Sequence, residues 1–222
     1  MTLPRYAYDL QYPLQALPTS SHGGRPRLLI AANRLSIITG GSPSQRRQLL
    51  ATLAGSQDTL HGLLFGQPVE AGKLQQLACS QCAHGKRCHT SLQQYVMQGR
   101  RLQRSWWQRN SPEDQQAVQR LLRDLGLAHI ADAPLAQLDS AQRELADIAR
   151  TLASSAPVVL LREPAALAHA ALPPLLARLG RLALTGRTIV LPLADRQLAS
   201  RHAQQVLDID PQPATPGTRL AA

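Results

Sequence analysis

Residues 38–50, Ile-Thr-Gly-Gly-Ser-Pro-Ser-Gln-Arg-Arg-Gln-Leu-Leu, have the outline of a phosphate-binding loop. Such a loop reads G-x-x-x-x-G-K-[ST] and joins a strand to a helix. Its glycines let backbone N–H groups close on phosphate. Here Gly40 stands at the first glycine, Gln45 at the second, Arg46 at the lysine and Arg47 at the hydroxyl that would hold Mg²⁺. The glycine of the turn is kept and the groups that do chemistry are replaced. A second cluster is Cys79, Cys82, His84, Cys88 and His89, five metal-ligating side chains within eleven residues. Cys79, Cys82 and Cys88 with either His84 or His89 would make a tetrahedral zinc site. The alternative is a basic surface loop with free thiols.

These residues need a scaffold, and the chain is long enough to bury a core. At 222 residues it is one large domain, or one with a small appendage. No apolar run has the length of a membrane span. The start Met1-Thr2-Leu3-Pro4-Arg5-Tyr6 carries no signal-peptide pattern, which predicts a cytoplasmic protein. Three cysteines in one place argue against a disulfide framework. The net charge of +10 points to anionic partners. Residues 71–110 hold seven Lys/Arg and no Asp or Glu, which is either a solvated basic face or a docking patch for nucleic acid or protein.

Along the chain, residues 1–26 predict irregular structure or a short edge hairpin. Strands are predicted at 28–32, 35–38, 158–161, 188–193 and 206–209, and a strand–turn–strand over 60–69. Helices are predicted at 45–53, 91–104, 112–125, 140–154, 172–184 and 197–205. Ser111-Pro112-Glu113-Asp114 is a helix start with an N-cap, a proline in the first turn and acids behind it; Gly126 is the stop. Strands alternating with helices predict an α/β fold with a mostly parallel sheet. The helical block over about 90–150 predicts an inserted subdomain, and 211–222 a flexible tail.

The ordered set resembles the ATP-binding subunit of an ABC transporter, over about residues 28–210. The resemblance is nearest to importers of iron–siderophore, haem and cobalamin. It rests on Gln98-Gly99-Arg100, then Trp106-Trp107, then Ser111-Pro112-Glu113-Asp114 with Val118, Leu122 and Leu125-Gly126-Leu127 following. It implies a P-loop NTPase-like fold, antiparallel N-terminal strands beside the parallel sheet, and a domain over residues 1–210. It also implies a membrane permease as partner, dimerisation with itself or with an active subunit, and a place at the inner face of the membrane.

The same resemblance assigns roles, and the chain departs from most of them. The signature L-S-G-G-Q is Leu138-Asp139-Ser140-Ala141-Gln142, which sets a carboxylate where the family's serine contacts phosphate. Arg162 replaces the Mg²⁺-linked aspartate, whereas Glu163 keeps the general-base position. Ala168 replaces the aspartate of the next loop and Ala194 the phosphate-sensing histidine. Gln81 falls where the family's glutamine loop meets the membrane subunits. Phosphoryl transfer depends on positioning and charge neutralisation. The losses therefore predict little or no ATP hydrolysis, no role for Mg²⁺, and ATP binding reduced to what Arg46 and Arg47 offer an anion at a helix N-terminus.

Overall fold

The computed structural model describes residues 6–11, 27–55, 61–64, 67–68, 78–80, 90–101 and 111–210. Strands β1 (Tyr6–Gln11), β2 (Arg27–Ala31), β4 (His61–Leu64) and β5 (Gln67–Pro68) form an antiparallel sheet ordered β2-β1-β4-β5. Strands β3 (Leu35–Thr39), β6 (Ala78–Ser80), β7 (Val158–Leu160), β8 (Thr188–Pro192) and β9 (Gln205–Asp208) form a parallel sheet ordered β6-β7-β8-β3-β9. The N-terminal expectation needs correction. β1 is an inner strand, with Asp9 opposite Leu29 on one side and Leu63 on the other. What fixes it is pairing with distant segments, which local periodicity does not report.

The parallel sheet is covered on both faces, and the period of two shows how. Ile37 of β3, Val159 of β7, and Ile189 and Leu191 of β8 point into one apolar cluster. Their neighbours Ile38, Val158, Leu160 and Val190 point into another. Helix α1 (Pro43–Leu53) covers the second face with Leu49, Leu50 and Leu53. The first face is covered by α5 (Leu172–Leu184), through Leu175, Leu176 and Leu179. Helix α6 (Arg196–His202) leads into β9.

Three helices carry the remaining core: α2 (Leu92–Arg101), α3 (Pro112–Asp124) and α4 (Ser140–Ala153). They pack on one another through Leu92, Tyr95 and Val96, Val118 and Leu122, and Ile148, Ala149 and Leu152. Arg100 Nη2 lies 2.8 Å from Asp114 Oδ1, and its Nη1 donates to the Ala153 carbonyl at 3.2 Å. Asp114, 1% exposed, also accepts from the Ser111 N–H and so closes the capping box of α3. The Gly99-Arg100 and Ser111–Asp114 segments thus hold three helices together.

Tyr95 shows how tight this packing is. Its hydroxyl donates to Asp147 Oδ1 at 2.5 Å, and the Arg150 guanidinium lies 5.0 Å from the ring centroid. Burial first, then the bond to Asp147, push the phenol up to about 12. A raised folded-state pKa favours the protonated form. The associated stability is therefore fully present below the unfolded value near 10 and is lost between about pH 10 and 12. Denaturant melts across that window should show a loss in the wild type that is smaller in Tyr95→Phe. An equal loss in both would show that Tyr95 does not titrate there.

Candidate functional site

In a parallel sheet, the loops that follow the strands gather at one edge, where ligand sites form. Here the loops after β3, β7 and β8 meet around one side chain, Arg46. Arg46 is 3% exposed, on the first turn of α1. Its Nη1 donates to the carbonyls of Gly40 and Gly41, each at 2.9 Å. Its Nη2 donates to Glu163 Oε1 at 3.1 Å and Oε2 at 2.9 Å, and its Nε donates to Oε2 at 3.2 Å. These contacts engage all three nitrogens of the guanidinium. Glu163 Oε1 also accepts the Ala194 N–H at 3.0 Å, which ties the loop after β8 to the same carboxylate.

The helix carrying Arg46 starts earlier than its sequence pattern predicts. The expected start was residue 45; α1 begins at Pro43. Ser42 is the N-cap: its hydroxyl accepts from the Gln45 N–H at 3.2 Å, and Gln45 Oε1 accepts from the Ser42 N–H at 2.7 Å. Pro43 suits the first helical position because it has no N–H to leave unpaired there. The Arg46 N–H donates to the Ser42 carbonyl, and the Gly41 N–H donates to Asp210 Oδ1 at 2.7 Å. The stretch expected to wrap an anion is wound into a capped helix, and these backbone donors are committed within the chain.

A second ion-pair group backs the turn. Arg196 Nη2 lies 3.0 Å from Asp208 Oδ1 and also contacts Asp210. Gly40 has a φ of +76° and passes so close to β9 that an added Cβ would sit 2.3 Å from Asp208 Oδ1. Within the whole hydrogen-bonded group, two guanidiniums, of Arg46 and Arg196, face three carboxylates, of Glu163, Asp208 and Asp210. Sequence reasoning did not single out Ser42, Arg196, Asp208 or Asp210. Ser42 carries a visible signal, because Ser42-Pro43-Ser44-Gln45 has the capping pattern already noted at Ser111. The other three meet only through the fold.

The remaining expected site residues do not share the Arg46 contacts. Arg47 and Arg162 are exposed. Asp139 caps α4, accepting from the Gln142 N–H at 2.7 Å while Gln142 Oε1 accepts from the Asp139 N–H at 3.1 Å. Glu144, two residues further on, takes the Ala165 and Ala166 N–H groups at 3.1 and 2.6 Å and braces the loop just after Glu163. His169 Nε2 is 3.0 Å from Asp195 Oδ2. Gln81, Cys82, His84, Cys88 and His89 lie outside the described residues, and Cys79 is described only as a backbone position of β6.

No family model matches the chain. Individual proteins do. Over 123 residues it is 36% identical to an achromobactin transport ATP-binding protein of Dickeya dadantii, covering 54% of this chain and 45% of that one. A petrobactin import ATP-binding protein of Bacillus anthracis is 30% identical over 192 residues, 82% of this chain and 70% of its own length. The chain belongs to the ATP-binding subunits of ABC transporters. It is also 28% identical over 194 residues to a hemin import ATP-binding protein of Streptomyces coelicolor. Among solved structures, CbiO1 of Clostridium perfringens, part of an ABC transporter complex, superposes with a TM-score of 0.71 at 20% identity, covering 93% of this chain and 85% of CbiO1. A nucleotide-free ATP-binding cassette superposes at 0.69 over 95% of this chain and 88% of its own, and both likenesses speak for the fold. The matched region spans 45% and 44% of the first two siderophore-transport relatives, less than half their length. No helix among the described residues is long and apolar enough to cross a membrane.

Gly40 and Gly41 direct carbonyl oxygens at the Arg46 guanidinium, and three carboxylates stand close by. Arg46 is bound by Glu163 and by the loop itself.

Proposed function

We propose that this chain is a non-hydrolysing ABC ATP-binding subunit that serves structurally or as a regulator in an importer of iron chelates or haem. It would sit at the cytoplasmic face of the membrane, bound to a permease and to a second ATP-binding subunit, identical or different. The substrate class comes from the petrobactin, achromobactin and hemin relatives. The observation that carries the loss of hydrolysis is the Arg46–Glu163 pair. A general base must hold a water against its target. Here Glu163, the candidate base, takes three N–H bonds from an arginine and one from Ala194.

The residues present do not fit Mg²⁺–nucleotide. Every nitrogen of Arg46 is already engaged by Glu163 or the loop, Arg47 brings a cation and no hydroxyl to the metal position, and Arg162 brings another in place of a carboxylate. Nucleotide entry would have to draw Arg46, whose side chain is 4% exposed, away from Glu163, and leaving a buried charge without its partner costs about 3–5 kcal/mol. Phosphate release from ATP, followed with purified protein at saturating Mg²⁺, should stay at the no-enzyme rate, and Glu163→Gln should not change it. A Mg²⁺-dependent rate that Glu163→Gln abolishes would overturn the proposal.

A further inference from the structure

We infer that the turn after β3 is a receptor for a guanidinium cation, that Arg46 is its built-in ligand, and that this ligand fastens the loops after β3, β7 and β8 to one another. The inference deepens the reading of the same site as non-hydrolysing, and it rests on a separate property, the polarity of the backbone.

An anion cradle turns N–H groups inward. This turn does the reverse. The Gly40 and Gly41 carbonyls, at φ of +76° and +57°, point at Nη1, and the Gly41 N–H is turned out toward Asp210. On the opposite edge of the guanidinium, Glu163 Oε2 accepts from both Nε and Nη2, and Oε1 accepts from Nη2 as well. The receptor is therefore planar and two-sided, with two carbonyls on one side and a carboxylate on the other. An ammonium ion, with three donors at tetrahedral angles, cannot reproduce the five contacts. The loop after β8 joins through the Ala194 N–H on Glu163. The side chain that would close the cage against solvent is the ligand itself, 4% exposed, while Glu163 is 24% exposed.

The test is chemical rescue on the full chain. Arg46→Ala should melt at least about 5 °C below wild type. Low-millimolar methylguanidinium should raise its melting temperature saturably, whereas methylammonium, inorganic phosphate and pyrophosphate at equal concentration should not. The rescue should disappear in Arg46→Ala/Glu163→Ala and be absent in wild type. Stabilisation of Arg46→Ala by phosphate or pyrophosphate would overturn the inference, as would rescue that survives loss of Glu163. Should Arg46→Ala fail to fold, Arg46→Lys decides. It keeps the charge and loses the fork, so it should melt several degrees below wild type; a melt equal to wild type would overturn the receptor. Magnesium-dependent ATP hydrolysis by wild type would sink the functional proposal alone, and absent rescue without hydrolysis would sink this inference alone.

Discussion

Replacing Gly99 by alanine is expected to lower the unfolding free energy by about 3 kcal/mol, near the top of the usual range for overpacking. Helix propensity alone argues the other way, since alanine is favoured over glycine in a helix by about 1 kcal/mol. The sign is set by contact between α2 and α4. A Cβ at Gly99 would stand 1.9 Å from the Arg150 carbonyl oxygen and 3.1 Å from Ala153 Cβ. The nearest atom is backbone, so no rotamer change can relieve it. The two helices would have to separate, and Leu92, Tyr95 and Val96 would lose packing on Ile148, Ala149 and Leu152. Urea denaturation of the variant measures the cost. A gain of stability would mean that the helices do not approach as described.

The second large effect concerns Arg46 and Glu163 as a pair. Arg46→Met should cost about 3 kcal/mol, because a partly buried carboxylate loses its counter-ion. Glu163→Gln should cost less, about 1–2 kcal/mol, since the amide oxygen can still accept from Arg46 and Ala194. The double variant should be more stable than the sum of the two losses implies, by at least about 1 kcal/mol. Additivity within about 0.5 kcal/mol would show that the two side chains act independently, and the central pair of the site would be gone from the account.

Much of the scaffold was legible in the sequence, for physical reasons that differ along it. The inner strands of the parallel sheet read clearly because both faces are buried, which leaves short unbroken runs such as Val158–Leu160. The start of α3 read clearly because Ser111, Pro112 and Asp114 each meet a local requirement of a helix N-terminus. The same grammar at Ser42 was masked by the phosphate-loop template, which expects an open loop where Pro43 already begins a helix. Asp139 and Gln142 show a similar overlap: a motif position and a capping box occupy the same residues. β1 was not legible because its register is set by β2 and β4.

The pairing at the centre was half legible. Arg46 and Glu163 are each visible as letters. Their meeting across 117 positions is a property of the sheet order, which sets the ends of β3, β8 and β7 side by side. The same holds for Arg196 with Asp208 and Asp210, which no motif marks.

The claim that Arg46 has displaced nucleotide from this site is tested most directly by calorimetric titration of ATP into the wild-type chain, with and without Mg²⁺. The account predicts no saturable heat in either condition. Saturable binding that strengthens when Mg²⁺ is added would contradict it, because the arginine would then be yielding its place to the metal–nucleotide.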